Sequence, residues 1–539
     1  MREERTILLT FYRLKMSYAK TPFEIKLNAV QTAKKRGNKK QEAKAILELA
    51  HEYRDMGLTQ EAISCYQEAN IIFQERRDKK WEGEVHLGLG LTYREISQHQ
   101  TAIECYQKAH EIALKRGDKK QQEQAYLGLG IAYRNICQYQ KAIECYEKAK
   151  EIALKRGDKR QEGQAHLGLG NAYRSTSQYH TAIECHQKAQ RIALKRGDKW
   201  QEGEAYLGLG HAYLDISQYE KAFECYQEAQ KIALKRGDKR QEGQAYLGLG
   251  DAYRNICQYQ KAIECYQKAE EIALKRRDKS QEGDAYLGLG IAYRNICQYQ
   301  EAIECYQKAQ EIALEREDKR QEGQAYLGLG ISNWNICQYQ EAIEYYQKAL
   351  ETALKRGDKK QEGEAYLGLG NAYQNIDQNQ KAIECYQKAQ EIALELGDKK
   401  REGQAYLGLG HAYLHISQYQ TAIEYYQKAQ EIALERGDKR QEGEAYVGLG
   451  NAYQNIDQNQ TAIECYQKAE RTALESGDKK QEGEAYLGLG DSYLNISQYQ
   501  RAIEFFHKAK QIALERGSIR QEGKASLSRL LSSRSSAIF

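Results

Sequence analysis

The sequence predicts an all-α solenoid built from stacked antiparallel helix hairpins. Residues forty positions apart are nearly always alike, and the pattern runs from Gln41 to Arg520 through twelve complete units without insertion or deletion. Proline, which breaks helices, occurs once in the chain, at Pro22. A fixed period of this length is the signature of a repeat array, in which each unit packs on its neighbours. The chain is therefore predicted to be one array rather than a string of globular domains.

Each unit divides into two amphipathic halves. In the unit of residues 121–160, apolar side chains recur at three- and four-residue spacing in both halves. They are Ala125, Leu129, Ala132, Tyr133 and Ile136 in the first half, and Tyr139, Ala142, Ile143, Tyr146, Ala149 and Ile152 in the second. The spacing predicts helices over 121–135 and 139–156. A connection this short makes the two helices antiparallel.

Capping residues mark the start of each predicted helix. Asp158 precedes Gln161 by three residues, which is the spacing of a capping box, and Gly157 suits the left-handed turn that ends the preceding helix. A second capping site is predicted just before the second helix of each unit. It is occupied by Ser97, Ser217 and Asp377 with a capping-box partner, and by Cys137, Cys257, Cys297 and Cys337, where a weaker cap is expected.

Charge and hydropathy exclude several classes of function. The chain has 81 basic and 76 acidic side chains, a formal charge of +5, and the two signs alternate along every unit. No basic block points to nucleic acid. The longest apolar run near the start, residues 7–12, is too short to span a bilayer, and no cleavage pattern follows it. We expect a cytoplasmic protein that binds neither nucleic acid nor membrane.

Thirteen cysteines fall at only two sites of the repeat. Equivalent sites on neighbouring packed helices lie roughly 10 Å apart, whereas a disulfide needs Cα atoms within about 7 Å. The same cysteine sites recur from repeat to repeat, and the total number is odd. The cysteines are therefore predicted to be free thiols. One site holds Cys65, Cys105, Cys145, Cys185, Cys225, Cys265, Cys305, Cys385 and Cys465, and the other holds Cys137, Cys257, Cys297 and Cys337.

No set of residues has the composition of a catalytic or metal site. The chain offers no Ser/His/acid set and no phosphate loop, and the Gly-Leu-Gly at 128–130 lies inside a predicted helix, where it would serve close packing. His411 and His415 share a helix face, but their groove neighbours are asparagines, so zinc is not expected. We predict no enzymatic activity, no cofactor and no metal.

The unit resembles the tetratricopeptide repeat (TPR). Its two halves read Y-L-G-L-G-I-A-Y and Y-Q-K-A-I-E-C-Y-E-K-A, with Tyr126 at the frequent Trp position and Leu154 at the closing Pro. The other signature positions are matched by Leu129, Gly130, Tyr133, Ala142, Tyr146 and Ala149. The forty-residue period is similar to that of the LGN- and Pins-type scaffold arrays. The resemblance implies a right-handed superhelix, with a degenerate half-repeat over 1–40, twelve repeats over 41–520 and a cap remnant over 521–539.

In that family the first helix of each hairpin lines the concave groove. Carried over, this places the sites of Gln124, Leu127, Ile131, Arg134 and Asn135 on the groove. The repeats differ most at these sites, which indicates either a tuned binding surface or drift of exposed positions. The site of Ile131 reads His51, Leu91, Ile131, Asn171, His211, Asp251, Ile291, Ile331, Asn371, His411, Asn451 and Asp491.

Asparagine recurs at one groove site. An amide carries both a donor and an acceptor, so a row of asparagines could hold the backbone of an extended peptide. Alternatively, these residues sit at a helix end and bond nearby carbonyls. The row is Asn135, Asn255, Asn295, Asn335, Asn375, Asn455 and Asn495.

Arginine is concentrated at the neighbouring site in the N-terminal half. This favours acidic ligand segments there, unless Glu84, Glu95, Asp215 and Asp251 neutralise the arginines locally. The residues are Arg54, Arg94, Arg134, Arg174, Arg254 and Arg294.

Trp334 and Asn333 interrupt the repeat pattern. Every other complete repeat has Tyr at the site of Asn333. A buried amide without partners costs about 1 to 3 kcal/mol, so this repeat is either a weak joint or a reshaped groove with an aromatic anchor.

Together these features favour a scaffold that binds extended peptide segments of other proteins. Fold alone does not fix function, so two alternatives stay open: a structural spacer, and a regulatory array of a larger signalling assembly.

A thiol titration can count the free cysteines. Denatured, non-reduced protein should give thirteen thiols per chain in a thiol titration, because the repeat spacing is too wide for bridges. Recovery of native intramolecular disulfides would contradict it.

Overall fold

The computed structural model describes residues 22–516, and within them the chain forms twenty-five α-helices and no strand. The predicted cap over 521–539 lies outside the described residues. The helices are α1 (Pro22–Lys35), α2 (Lys39–Asp55), α3 (Thr59–Glu75), α4 (Lys79–Glu95), α5 (His99–Arg116), α6 (Lys119–Asn135), α7 (Tyr139–Arg156), α8 (Lys159–Ser175), α9 (Tyr179–Arg196), α10 (Lys199–Asp215), α11 (Tyr219–Arg236), α12 (Lys239–Asn255), α13 (Tyr259–Arg276), α14 (Lys279–Asn295), α15 (Tyr299–Glu315), α16 (Lys319–Asn335), α17 (Tyr339–Arg356), α18 (Lys359–Asn375), α19 (Asn379–Leu396), α20 (Lys399–His415), α21 (Tyr419–Arg436), α22 (Lys439–Asn455), α23 (Asn459–Ser476), α24 (Lys479–Asn495) and α25 (Tyr499–Glu515).

The predicted pair of helices per repeat is confirmed. In the repeat of residues 121–160, the first helix ends at Asn135 as predicted. It begins at Lys119, two residues earlier than the apolar spacing indicated. The second helix, Tyr139–Arg156, matches the prediction. None of the described helices is long and apolar enough to cross a membrane.

The aspartate half of the predicted capping box is confirmed, whereas the Gln121 side chain does not reach back and donates instead to the Lys80 carbonyl at 3.1 Å. The side chain of Asp118 accepts a hydrogen bond from the backbone N–H of Gln121 at 3.0 Å, and Asp158 accepts from Gln161 at 3.2 Å. Such a cap satisfies one of the four N–H groups that an α-helix leaves unpaired at its start. Gly157 has φ +70°, so the preceding helix ends in the expected left-handed turn.

The predicted cap of the second helix is wrong. Ser97 has φ +60° and its N–H bonds to the Arg94 carbonyl, while the Gln98 N–H bonds to the Tyr93 carbonyl at 2.9 Å. The site therefore closes the first helix in a left-handed turn, and the residue after it, which makes no side-chain cap, begins the second. Because the connection is so short, the residue at this site must adopt the left-handed conformation that reverses the chain, and so it does not cap the second helix. The same conformation is found at Cys137, Ser177, Ser217, Cys257, Cys297, Cys337, Asp377, Ser417, Asp457 and Ser497.

The described chain divides between Ile256 and Cys257 into two compact units, here called unit 1 (residues 22–256) and unit 2 (residues 257–516). Within each unit, a first helix contacts the first helix of the next repeat, as α4 contacts α6 in unit 1 and α14 contacts α16 in unit 2. Among the described residues, consecutive second helices make no such contact. The first helices therefore lie on the inner side of each unit. We call this side the inner face.

A buried tyrosine joins most repeats to the next. The ring of Tyr146, 2% exposed, lies between Gly130 of its own first helix and Gly168 of the next. A Cβ at Gly130 would lie 2.6 Å from Tyr146 Cε1, and one at Gly168 would lie closer still, so only glycine fits at these two positions. The same arrangement recurs at Tyr106, Tyr226, Tyr306, Tyr346, Tyr386, Tyr426 and Tyr466. The Gly-Leu-Gly sequence thus serves close helix packing.

One repeat of unit 1 has a histidine in the tyrosine position. The ring of His186 lies between Gly170 and Gly208, is fully buried, and has no hydrogen-bond partner at either nitrogen. Burial, with a smaller effect from Arg174, lowers the pKa of His186 to about 3. Burial and Arg174 likewise lower the pKa of His211 in the following first helix to about 3.

All thirteen cysteines lie within the described residues and are free thiols. Those of the second helices are buried or half-buried, and burial raises the pKa of Cys105 and Cys145 to about 11. The four at the turn are exposed. The buried thiols are therefore protonated and unreactive near neutral pH.

Left-handed backbone at a non-glycine residue costs about 1 to 2 kcal/mol. We expect Cys137→Gly to stabilise its repeat by about 1 kcal/mol relative to Cys137→Ala, since both variants remove the thiol but only Gly removes the strain. Hydrogen-exchange mass spectrometry of residues 121–156 measures the local opening free energy. Equal protection in the two variants would contradict the expectation.

The two depressed histidine pKa values predict acid sensitivity. Unfolded histidine titrates near pH 6.5, so the unfolded state takes up protons first as the pH falls. The histidine contribution to stability should be intact above about pH 7 and be lost progressively between about pH 6.5 and 3. We expect His186→Tyr, which restores the repeated residue, to raise the melting temperature more at pH 5 than at pH 7.5. The reverse variant, Tyr146→His, should add acid sensitivity, and a pH-independent difference in both would contradict the assignment.

Candidate functional site

The inner face carries several of the variable residues of the repeat. The sites of Gln124, Ile131 and Arg134 are half-buried in unit 1, and Asn135 is exposed at the end of its helix. Each lies on a first helix, so the structure puts the predicted groove positions on one face of each unit. Leu127, by contrast, is buried and belongs to the packing below that face.

The buried tyrosines reach this face through their hydroxyl groups. The Tyr66 hydroxyl oxygen lies 2.8 Å from His51 Nδ1, and the Tyr386 hydroxyl donates to Asn371 Oδ1 at 2.7 Å. Similar contacts join Tyr226 to His211 at 2.7 Å and Tyr466 to Asn451 at 2.6 Å. At these repeats the variable site of Ile131 is thus the hydrogen-bond partner of a core tyrosine. Sequence reasoning missed this link, although the constant fifteen-residue separation could have suggested it.

A cavity of about 280 Å³ opens on the inner face of unit 1. Three first helices, α2, α4 and α6, supply most of its walls, and Tyr106 of the second helix α5 completes them. The apolar lining comes from Leu87, Leu91, Leu127 and Ile131, and the polar lining includes His51, Arg54, Glu84, Arg94 and Gln124. An aliphatic floor with charged side chains at its rim can hold one residue of an extended segment.

The inner-face arginines fall into two groups. Arg174 Nε donates to Asp215 Oδ2 at 2.6 Å, Arg254 lies 3.3 Å from Asp251, and Arg54 pairs with Asp55. These three arginines are neutralised locally, two of them by the acids anticipated from the sequence. Within residues 22–516, no carboxylate lies at ion-pair distance from the other three, Arg94, Arg134 and Arg294.

The asparagines all end first helices. In four of them the side-chain N–H donates to the carbonyl four residues earlier, at 2.7 or 2.8 Å: Asn255, Asn335, Asn375 and Asn455. Asn495 instead donates to Asn459 Oδ1 at 3.0 Å. Asn135 and Asn295 occupy the same position at the end of their helices. The helix-end bonding that the sequence left open as an alternative is therefore present.

In the repeat that contains Trp334, the buried amide of Asn333 has a hydrogen-bond partner, which the sequence did not predict. Asn333 is buried, but its Nδ2 donates to the Leu329 carbonyl at 2.8 Å, so the side-chain donor is not stranded. Trp334 is half-buried on the inner face and its Nε1, buried beneath the surface, has no hydrogen-bond partner. The sequence expectation of an amide without partners is corrected, because the helix's own carbonyl accepts the bond.

The described residues contain no group of three or more His, Cys, Asp or Glu side chains placed to hold a metal ion. His411 packs edge-on against Tyr426, with ring centroids 5.4 Å apart, and burial lowers its pKa to about 4. His411 is therefore neutral near pH 7.

Comparison with known proteins identifies the family. A family profile described as tetratricopeptide repeat matches residues 41–115, 121–195, 201–275, 281–355, 361–435 and 441–515. The chain belongs to the tetratricopeptide repeat family. No curated protein matches the sequence.

Solved structures give weaker matches. The APC/C hetero-tetramer Cut9–Hcn1 is matched at a TM-score of 0.48 and 15% identity, over 97% of this chain and 98% of that chain. The quorum sensor NprR from B. thuringiensis is matched at 0.49 and 14%, over 62% and 97% respectively. A STAND signal-transduction ATPase with a tetratricopeptide repeat sensor, from Pyrococcus horikoshii, is matched at 0.49 and 19%, over 65% of this chain and 55% of its own length. Likeness at this level carries no information about what this chain binds.

Proposed function

We propose that the chain is a non-enzymatic, cytoplasmic protein-interaction scaffold whose inner face binds extended peptide segments of other proteins. The observation that carries this proposal is the cavity of unit 1, where an aliphatic floor lies beside Arg94, an arginine without an ion-pair partner among the described residues. The forty-residue period, similar to that of LGN- and Pins-type arrays, suits the same role.

Acidic segments are favoured in unit 1. Arg94 and Arg134 occupy equivalent sites on α4 and α6, and no carboxylate among the described residues lies at ion-pair distance from either, although Glu84 lines the same cavity as Arg94 and the charge of Arg94 acts on Glu95. An arginine can bind a carboxylate through two parallel N–H groups, a geometry that lysine cannot reproduce. Arg174 and Arg254 would contribute less, because Asp215 and Asp251 already engage them.

The asparagine row would act through its oxygens. Where the amide N–H is bonded to the helix's own carbonyl, as at Asn335 and Asn375, the amide oxygen is the group that can accept from a ligand backbone N–H. Helix-end bonding and ligand binding are then compatible, because the first orients the side chain for the second. Asn135, Asn255, Asn295, Asn455 and Asn495 would act in the same way, and Trp334 would give unit 2 an aromatic contact.

The test uses a partner protein obtained by affinity capture, from which the shortest peptide that still binds is identified by mapping. We expect Arg94→Gln with Arg134→Gln to weaken binding at least tenfold and to flatten its salt dependence, because charge-assisted contacts are lost. Lys115→Gln with Lys155→Gln, which removes the same charge from exposed positions of second helices, is the matched control.

Serine keeps the helix-end bond of the asparagine row, since Ser175 Oγ already donates to the Asn171 carbonyl at 3.1 Å. Replacing Asn295, Asn335 and Asn375 by Ser therefore removes the amide oxygens while sparing the helix ends. Isothermal titration should show weaker binding to unit 2. If only the lysine control weakens binding, the partner uses the second helices; if no variant affects any captured protein, the array is a spacer.

A further inference from the structure

A repeated hydrogen-bond network closes the junction between successive repeats. At seven junctions of the described residues, an arginine at the end of the second helix donates from Nη1 to Oε1 of a glutamine in the first turn of the next first helix, and the same nitrogen lies near the capping aspartate between them. At one junction of unit 2, Arg436 is 3.1 Å from both Gln441 Oε1 and Asp438 Oδ2. The pairs are Arg116–Gln121, Arg196–Gln201, Arg236–Gln241, Arg276–Gln281, Arg316–Gln321, Arg356–Gln361 and Arg436–Gln441.

The other end of the glutamine amide fixes its orientation. Gln321 Nε2 donates to the Ser280 carbonyl at 3.3 Å, and Gln481 Nε2 donates to the Arg440 carbonyl at 2.7 Å. With the N–H group committed to a carbonyl of the preceding first helix, the amide oxygen must point toward the arginine position. The network therefore needs a donor at that position.

Junctions with a different sequence still contain a guanidinium. Arg156 pairs with Glu123 as well as with Asp158. Leu396 replaces the arginine at another junction, but there Arg401 stands in the glutamine position and pairs with both Asp398 and Glu364. The compensating change keeps a guanidinium in the junction.

The junction between α23 and α24 has no arginine at either of these two positions. Ser476 stands at the arginine position, and its hydroxyl donates to the Ala473 carbonyl at 3.2 Å. Gln481 is 5% exposed and its Oε1 is buried without a hydrogen-bond partner. Its orientation is fixed by the bond to the Arg440 carbonyl, so rotation of the amide would not relieve it. A buried acceptor left without a donor costs about 1 to 3 kcal/mol.

Acidic side chains surround the junction. Asp478, Glu444 and Glu484 lie around the junction, and burial raises the pKa of both Glu444 and Glu484. Cations are already nearby: Lys480 Nζ is 3.8 Å from Glu484, Arg440 Nε is 3.6 Å from Asp478, and the charge of Arg516 also acts on Glu484. None of these three donates to Gln481 Oε1.

We propose that this junction is a binding site for the guanidinium group of an arginine side chain on a partner protein. The guanidinium would take the place that Arg436 occupies at the preceding junction, donating to Gln481 Oε1 and to Asp478. A planar group with several N–H donors can reach both acceptors at once, whereas an ammonium group is a single point of charge. The site lies at the repeat junction and does not depend on the function proposed for the inner face.

The test uses the full chain and a fluorescent five-residue peptide, Gly-Ser-Arg-Ser-Gly, carrying a benzophenone photo-crosslinker. A peptide with citrulline, which has the shape of arginine without its charge, is the ligand control. We expect the arginine peptide to crosslink within residues 472–484, and the citrulline peptide to do so at least tenfold less.

Three variants separate the proposal from non-specific binding. Ser476→Arg supplies the missing group within the chain, so it should abolish this crosslink and raise the melting temperature. Ser476→Ala keeps the gap and should keep the crosslink. Arg436→Ser opens an equivalent gap and should create a new crosslink within residues 432–444.

Two results would overturn the proposal. In one, Ser476→Arg raises the melting temperature but wild type gives no arginine-dependent crosslink, which would mean that water alone satisfies Gln481. In the other, crosslinking is unchanged by Ser476→Arg and by Arg436→Ser, which would place the peptide elsewhere. Because Arg436→Ser tests the same chemistry by gain of binding, the inference is testable even if Ser476→Arg fails to fold.

Discussion

A tyrosine ring held between two glycines is the contact on which each unit is built. Tyr146 lies on Gly130 of its own repeat and on Gly168 of the next, so a single side chain determines how closely two first helices approach. Full burial of a large apolar side chain contributes about 2 to 3 kcal/mol, and neither glycine could gain even a methyl group without moving the ring. The glycines lie within helices, where they cost about 1 kcal/mol relative to alanine. That this cost recurs in repeat after repeat shows that close packing outweighs helix propensity here.

Much of this architecture could be predicted because the repeat reports the same information many times. Apolar spacing gave the helices, and Asp158 with Gln161 gave the first-helix cap. The second-helix cap could not be predicted from residue type, because Ser97 and Asp377 are good capping residues that instead close the preceding helix. In a connection this short, chain geometry decides between two roles that the sequence alone allows.

The sequence could predict which residues form the candidate site, but not which ion pairs and hydrogen bonds their side chains make. The family resemblance placed Arg94, Arg134 and Arg174 on one face, yet only the structure separates the first two from Arg174, which pairs with Asp215 of the next repeat. The same holds for Asn375, whose bond to the carbonyl of Asn371 is compatible with either interpretation of the asparagine row. Pairing depends on side-chain rotamers across forty-residue separations, and one-dimensional patterns do not contain that information. Deviations from the repeat, such as His186 and Ser476, are informative because they leave identifiable polar atoms unsatisfied.

The link between the tyrosine hydroxyls and the inner face has a thermodynamic consequence. The Tyr386 hydroxyl lies within hydrogen-bond distance of Asn371 Oδ1 and Gln374 Oε1, and its one proton can be donated to either. Both acceptors lie on the inner face, while the tyrosine ring packs between two repeats. Any molecule that reorients Asn371 changes the hydrogen bonding of Tyr386. It therefore changes the free energy of separating the two repeats between which the Tyr386 ring packs. Occupancy of the surface and the mechanical stiffness of the stack are then two measurements of one linked equilibrium. By the reciprocity of such linkage, stretching or bending the stack would alter its affinity for whatever the surface holds.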